Sequence, residues 1–205
     1  MVLLNACSEQ KDGEQKDYIT EADMSLLMPD TVNGETVAQS NKRGEVFRQN
    51  LKSNTIDKYI PNVPVYSLSG KEFNLQDVIS KKTILISSDS YCGFGGASLR
   101  NDFPVALDSL KNELQDYDVI CLLKRTEWDM EDSTRFEGFK EELREIYETL
   151  YIIEESDAYR INLIGNPVRY YIDKNQKVAH IGSGLSNVQN QIIEIRNNTG
   201  IDSGS

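Results

Sequence analysis

The chain has 205 residues with 22 basic and 33 acidic side chains, a formal net charge of −11, which excludes nucleic acid and anionic lipid headgroups as electrostatic partners. One histidine, His180, and three dispersed cysteines, Cys7, Cys92 and Cys121, offer no zinc-ligand spacing, so no metal and no cofactor is expected; nor does a nucleophile elbow accompany His180 for a Ser-His-Asp site. Hydrophobic residues make up 39% of the chain, enough for one buried core and a single domain with appendages.

The first residues, Val2-Leu3-Leu4-Asn5-Ala6-Cys7, resemble the end of a bacterial lipoprotein signal, in which an apolar segment meets Leu-x-Ala-Cys and the cysteine is lipidated after cleavage. That resemblance implies a signal remnant over 1–6, shorter than a normal apolar region, and Cys7 as the lipidation site. Residues 7–17 lack apolar periodicity and cannot bury enough surface to offset their ordering entropy, so a flexible acidic tether is expected. Residues 18–55 form a polar lead-in with apolar islands at 24–28 and 46–51, and the second island predicts a helix within 41–51. No stretch is long and apolar enough to span a bilayer.

The globular part begins near Ile56. Residues 63–68 and 72–75 read as two strands around Ser69-Gly70-Lys71, followed by a helical turn over 76–79. The run 83–88 is β-branched and unbroken by charge, as in a strand buried on both faces. Leu99, Phe103, Ala106, Leu107, Leu110 and Leu114 recur at helical spacing over 97–114, with a kink expected at Pro104. A second buried strand covers 119–123. Phe136, Phe139, Leu143, Ile146 and Tyr147 mark another helix, and residues 150–153 a short strand. Residues 168–172 and 177–181 predict a hairpin around Asp173-Lys174-Asn175-Gln176, and 188–195 a closing helix. Strands alternating with helices and ending in a hairpin and helix predict an α/β sandwich on a mixed sheet.

Cys92 stands in Ser90-Tyr91-Cys92-Gly93-Phe94-Gly95-Gly96, where a buried strand hands over to a helix. A helix N-terminus stabilises the thiolate, which is the nucleophilic form. Cys121, inside an apolar strand, reads as a structural cysteine. Trp128 reads as packing under a loop or as a shield over the site, and the acid-rich stretch 127–132 as a solvated face, since it lacks the order of an EF-hand loop. Arg169, Tyr170 and Tyr171 are candidate ligand contacts, with one of the two tyrosines expected in the core because strands alternate faces.

These residues resemble the TlpA-type branch of the thioredoxin-like fold, membrane-tethered thiol-disulfide oxidoreductases of the AhpC/TSA-redoxin superfamily, over most of the chain. Gly70-Lys71 through Leu75 is similar to the family's entry hairpin, Ser90-Tyr91-Cys92 to its Ser/Thr-Trp-Cys, and Gly165-Asn166-Pro167 with the strand ending in Ile172-Asp173 to its Gly-x-Pro segment. The resemblance implies an α/β, thioredoxin-like three-layer sandwich over 56–196, a mixed central sheet with helices on both faces and an N-terminal hairpin, and 197–205 as a disordered tail. It further implies Cys92 as nucleophile, Pro167 as a cis proline facing it, and Asn166, Pro167 and Tyr91 as substrate-binding residues. Protein or peptide clients in the bacterial cell envelope, on its periplasmic or outer surface, a lipid anchor through Cys7 and an unidentified redox donor follow from the same resemblance. Two departures stand out. The family's Cys-x-x-Cys is degenerate, with Gly95 or Leu99 where the resolving cysteine belongs, and Arg100-Asn101-Asp102-Phe103-Pro104 lies about one helical turn further from Cys92 than the family places its Arg-x-Glu-x-Pro, an alignment that implies four extra residues and a flexible loop at Gly93, Gly95 and Gly96 rather than a capped first turn. A peroxidase site is excluded because Leu85 and Asp89 stand where its proline and threonine belong. Two functions are therefore open: single-cysteine thiol-disulfide exchange on protein clients through Cys92, and a catalytically degenerate module that binds clients in the cleft near Pro167.

Overall fold

A computed structural model of the chain describes residues 16–27, 34–91, 93–131, 133–165, 167–183 and 187–199. A 3-10 turn (Met24–Leu27) precedes helix α1 (Val37–Ser53). Helix α1 is longer than its apolar island because a capping box starts it: Gln39 N–H donates to Thr36 Oγ1, and Thr36 N–H donates to the Gln39 side chain at 2.9 Å.

Seven strands form one mixed sheet in the order β2-β1-β5-β4-β3-β6-β7. The entry hairpin, β1 (Pro64–Ser67) and β2 (Glu72–Asn74), runs into a short helix α2 (Leu75–Val78). At the centre β3 (Lys82–Asp89), β4 (Tyr117–Arg125) and β5 (Leu150–Glu154) run parallel, while β6 (Val168–Ile172) is antiparallel to β3 and pairs with β7 (Val178–Ser183). Residues Thr83 to Ser88 of β3 are all buried, which is why that run carries no polar alternation. Alternate residues face two cores. Ile84, Ile86, Cys121 and Leu123 pack against α4 (Phe103–Ser109), α6 (Ser133–Arg144) and α8 (Val188–Thr199) through Phe103, Phe136, Phe139 and Ile195. On the other face Leu85, Ile120 and Leu122 meet Leu75 of α2, Ala158 of α7 (Glu155–Arg160), Ile19 of the lead-in and Ile60 just after it. Helices therefore cover both faces of the sheet, as the sequence implied.

The glycines after residue 92 do not form a loop. Helix α3 (Gly93–Ala97) begins there, passes through a π-helical turn (Ser98–Asp102) and continues as α4. The irregularity precedes Pro104 rather than centring on it. In an α-helix the proline ring would clash with the Arg100 carbonyl; in the π turn Phe103 N–H donates to Ser98 O instead, and Pro104 enters the first turn of α4, where its missing N–H costs nothing. Gly96 has a packing reason: a Cβ there would come within 3.2 Å of the Phe139 ring. Helix α4 stops at Ser109, but the following turn still buries Leu110 and Leu114. Two short helices, α5 (Glu127–Glu131) and α7, occupy segments whose sequence carries no apolar periodicity.

Strand β6 departs from the alternation expected of it. Tyr170 and Tyr171 are both buried, because β6 has strands on both sides and a packed layer on each face; Tyr170 donates to Ile161 O at 2.7 Å and Tyr171 to Glu194 at 3.0 Å. Arg169 is only 1% exposed and is held bidentately by Glu194, with both N···O distances 2.9 Å. Burial alone would lower its pKa, but the hydrogen bonds and negative charge of Glu194, with Tyr171 beside it, together outweigh that and hold it above the ordinary range. None of the three is therefore placed to touch a client. His180 packs at a tilt against Tyr171, 5.8 Å between ring centroids, and burial lowers its pKa.

Gly182 lies opposite Arg169 in the β6–β7 ladder, and a Cβ there would collide with the Glu194 carboxylate. Displacing Glu194 strips the counter-charge from a buried guanidinium, so Gly182→Ala is expected to lower stability by roughly 2 kcal/mol or more. A fall in the urea midpoint at unchanged m-value is the expected result; a midpoint equal to wild type would show that Glu194 relaxes freely.

Candidate functional site

The parallel strands end together at one rim, at Asp89, Arg125 and Glu154. From β3 the chain passes through Ser90 and Tyr91 toward α3. Cys92 and Asn166 lie outside the described residues, as does Cys7; the chain neighbours Tyr91, Gly93, Gly165 and Pro167 are described.

Ser90 and Tyr91 are held from three directions. Ser90 Oγ donates to Asp129 Oδ1, and the other carboxylate oxygen of Asp129 accepts from Thr126 N–H and Thr126 Oγ1, both at 2.8 Å. Asp129 is 3% exposed and so departs from the solvated face expected of 127–132. It caps the first turn of α5 and anchors the strand exit with the same carboxylate. Arg135, from α6, donates from Nε to Ser90 O at 3.1 Å and from Nη2 to Tyr91 O at 3.4 Å, with its guanidinium 4.6 Å from the centroid of the Tyr91 ring. Tyr91 in turn donates its hydroxyl to Trp128 O at 2.7 Å. Trp128 itself is 65% exposed, and the neighbouring Met130 is also exposed, so this tryptophan is a rim residue rather than packing under a loop.

The Pro167 segment reaches the same rim. Val168 pairs with Ser87, so the chain enters β6 at a buried Pro167 beside the end of β3. Lys124, from β4, is 4% exposed, donates to Gly165 O at 3.2 Å and Leu163 O at 3.5 Å, and lies 3.9 Å from Asp89 Oδ2. A buried ammonium is stable only with such partners, and these draw strand end and loop together. One step further out, Asn162 is fully buried at φ 57°. Its amide donates to Thr20 O at 2.9 Å and Thr55 Oγ1 at 2.8 Å, while its carbonyl accepts Ala22 N–H at 2.7 Å. Ile164 packs on a small cluster of lead-in residues, Ala22, Phe47 and Leu51. The lead-in is thus fastened to the loop that carries Pro167.

Cys121 is fully buried between β3 and β5, and burial pushes its thiol pKa far up, so it is no resolving partner for a surface thiol. Leu99, one of the two residues at the resolving position, lies in the core. Among the described residues no cluster of His, Cys, Asp or Glu is arranged to hold a metal, and no helix is long and apolar enough to cross a membrane. Sequence reading brought out Tyr91 and Pro167 but missed Lys124, Asp129, Arg135 and Asn162. A lysine directly after the apolar run 119–123 was the one available signal; the others acquire meaning only from partners distant in the chain.

No protein-family model matches the chain, and no curated protein matches its sequence. Solved structures do match. ScoI of Arabidopsis thaliana, solved with copper bound, is 14% identical with a TM-score of 0.52, over 68% of this chain and 97% of that one. A thiol:disulfide interchange protein from Bacteroides sp. is 14% identical with a TM-score of 0.51, over 73% and 94%. A DsbF homologue from Corynebacterium diphtheriae is 16% identical with a TM-score of 0.50, over 68% and 86%. With the sheet order and layering above, these likenesses show a thioredoxin-like fold.

Asn162→Ala removes three hydrogen bonds, two of them fully buried, and puts alanine in a left-handed conformation that asparagine tolerates better. A loss on the order of 2–3 kcal/mol is expected, with faster amide exchange at Ala22 and earlier proteolysis in the lead-in than in the sheet. Uniform protection losses with no preference for the lead-in would refute the clasp.

Proposed function

We propose that this chain is an envelope thioredoxin-like protein in which Cys92 performs single-cysteine thiol-disulfide exchange on protein clients. The observation that carries the reading is the Arg135 clamp. A guanidinium fixed on the Ser90 and Tyr91 carbonyls sets a permanent positive charge beside the residues that lead into Cys92, and the helix beginning at Gly93 adds its N-terminal dipole. Both favour a thiolate over a thiol. In the exchange, the Cys92 thiolate attacks one sulfur of a client disulfide. The S–S bond breaks, its electron pair leaves on the second client sulfur, and a mixed disulfide joins Cys92 to the client. Tyr91, Asn166 and Pro167 are the residues assigned to client contact in this reading. The exposed Trp128 and Met130 supply apolar contact at the same rim. Resolution then falls to a client thiol or a second molecule, since Cys121 is sealed in the sheet.

A thiol:disulfide interchange protein is among the solved structures that share this fold, and disulfides persist outside the cytosol; both support an envelope setting. Leu4-Asn5-Ala6-Cys7 and the polar run behind it support a lipid tether at Cys7. Cys7→Ser is expected to move the protein from the membrane pellet to the soluble fraction of the producing bacterium; retention in the pellet would remove the anchor from the proposal.

The second reading, a client-binding module without exchange, is favoured by the burial of Cys121 and by the apolar rim. Alkylation against pH separates the two. The Cys92-dependent rate, taken as wild type minus Cys92→Ser, is expected to show a midpoint below the ~8.5 of a free thiol, and Arg135→Met to move it upward. Insulin reduction that requires Cys92 is expected alongside. Labelling no faster than a free thiol, with no Cys92-dependent turnover, would leave the binding reading standing.

A further inference from the structure

Trp128, Met130 and Tyr159 are three of the ten large apolar side chains exposed among the described residues. Exposed apolar side chains grouped in one place mark a contact surface, whereas scattered ones do not. Met130 and Tyr159 line one open cleft of about 280 Å3 where β4 and β5 end, and Trp128 stands on the same short helix as Met130. The cleft lies below the roughly 300–1,000 Å3 of sites that enclose drug-sized ligands, so it suits one side chain of a larger partner. Its charged lining is three carboxylates, Glu127, Glu154 and Glu155, and one guanidinium, Arg125. That guanidinium is engaged: Arg125 donates to Glu154 from Nε, at 3.2 Å, and from Nη2. The pair cancels, and Glu127 and Glu155 set the sign of the cleft. Glu155 Oε1 accepts the Tyr159 hydroxyl at 2.7 Å, which fixes the carboxylate and leaves its second oxygen for another donor. Burial, then Glu155 and Asp89, push the Tyr159 phenol up to about 12, so it keeps its proton and remains that donor.

An occupant has to satisfy apolar walls and negative charge at once. A purely apolar side chain would strip water from the two carboxylates without replacing it, and an acidic one would be repelled. Only lysine and arginine carry an apolar stem that ends in positively charged hydrogen-bond donors. We propose that the cleft takes a lysine or arginine side chain of a client polypeptide, so that clients are selected for a basic residue near the segment they offer to the rim. The stem lies on Met130 and the Tyr159 ring, and the head meets Glu127 and Glu155. Helix α5 joins this cleft to the strand exit. Its Glu127 and Met130 line the cleft, while its Asp129 holds Ser90 and its Trp128 carbonyl accepts the Tyr91 hydroxyl. The proposal rests on the client binding that both readings above share and on no property of Cys92.

The probes are acetylated, amidated pentapeptides with arginine, lysine, citrulline or glutamate between two pairs of alanines. Titrated into the full chain and followed by amide shifts, the arginine and lysine peptides are expected to bind saturably, with the largest shifts at Glu127, Met130, Glu155 and Tyr159. Citrulline keeps the shape of arginine without its charge, and its peptide should bind about tenfold more weakly; the glutamate peptide should not bind. That comparison needs no variant. Glu127→Gln and Glu155→Gln together are expected to weaken the arginine peptide about tenfold as well. Glutamine at position 155 still accepts the Tyr159 hydroxyl, so the melting temperature should hold. Cys92→Ser should bind all four peptides as wild type does. No saturable binding, equal binding of the arginine and citrulline peptides, or binding unmoved by the double substitution overturns the proposal, and so does binding lost in Cys92→Ser. Insulin reduction reads the exchange reading separately: charge-selective binding without any Cys92-dependent turnover overturns exchange and upholds the cleft.

Discussion

Lys124 carries an ammonium group into a place where 4% of the residue is exposed, and two separate stretches of chain have to come to it. The end of β3 brings Asp89, and the loop before β6 brings the Leu163 and Gly165 carbonyls. A charge so placed is tolerable only while its partners stay in reach. The constraint acts in both directions: the partners satisfy the lysine, and the lysine fixes how the Pro167 loop meets the strand ends. Asp129 and Arg135 do the same for Ser90 and Tyr91 on the other side of the rim. The site is thus a set of backbone segments drawn together by buried or half-buried charges, with the two apolar cores of the sheet as the rigid base.

That base extends beyond the sandwich. The lead-in joins it through Asn162, through the packing of Phe47 and Leu51 near Ile164, and through Tyr59, which bridges to Lys177 at the β7 edge and to Tyr18. Pairing at that point covers part of an edge strand that would otherwise expose unpaired backbone groups. Residues that composition marks as polar approach become a wall beside the Pro167 loop.

The helix after Tyr91 starts at Gly93 and widens into a π turn ahead of Pro104. Glycine is normally a poor helix former, but here the helix is held by its neighbours. Gly96 lets α3 approach the Phe139 ring where a Cβ would be tight, and Leu99 and Phe103 are buried in the core beneath. Tertiary packing outweighs the local preference for a loop.

Strand and helix order was legible in the sequence because it depends on periodicity: the uninterrupted runs of β3 and β4, the spacing of Phe136, Phe139 and Leu143, and the turn residues between β6 and β7 each carry their signal within a few positions. The sheet could be inferred as mixed for the same reason. The site was half legible. Tyr91 and Pro167 were marked by local motifs, whereas Lys124, Asp129, Arg135 and Asn162 look like ordinary surface residues until folding supplies their partners. Asp129 reaches Ser90 across 39 positions and Asn162 reaches Thr20 across 142. A linear pattern cannot report that a charge is buried, because burial is decided by which distant segments close over it. Local order, then, followed from the sequence by itself; the burial of Arg169, Tyr170 and Tyr171, the helix at Gly93 and the charged clasps at the rim were decided only when both layers packed onto the sheet.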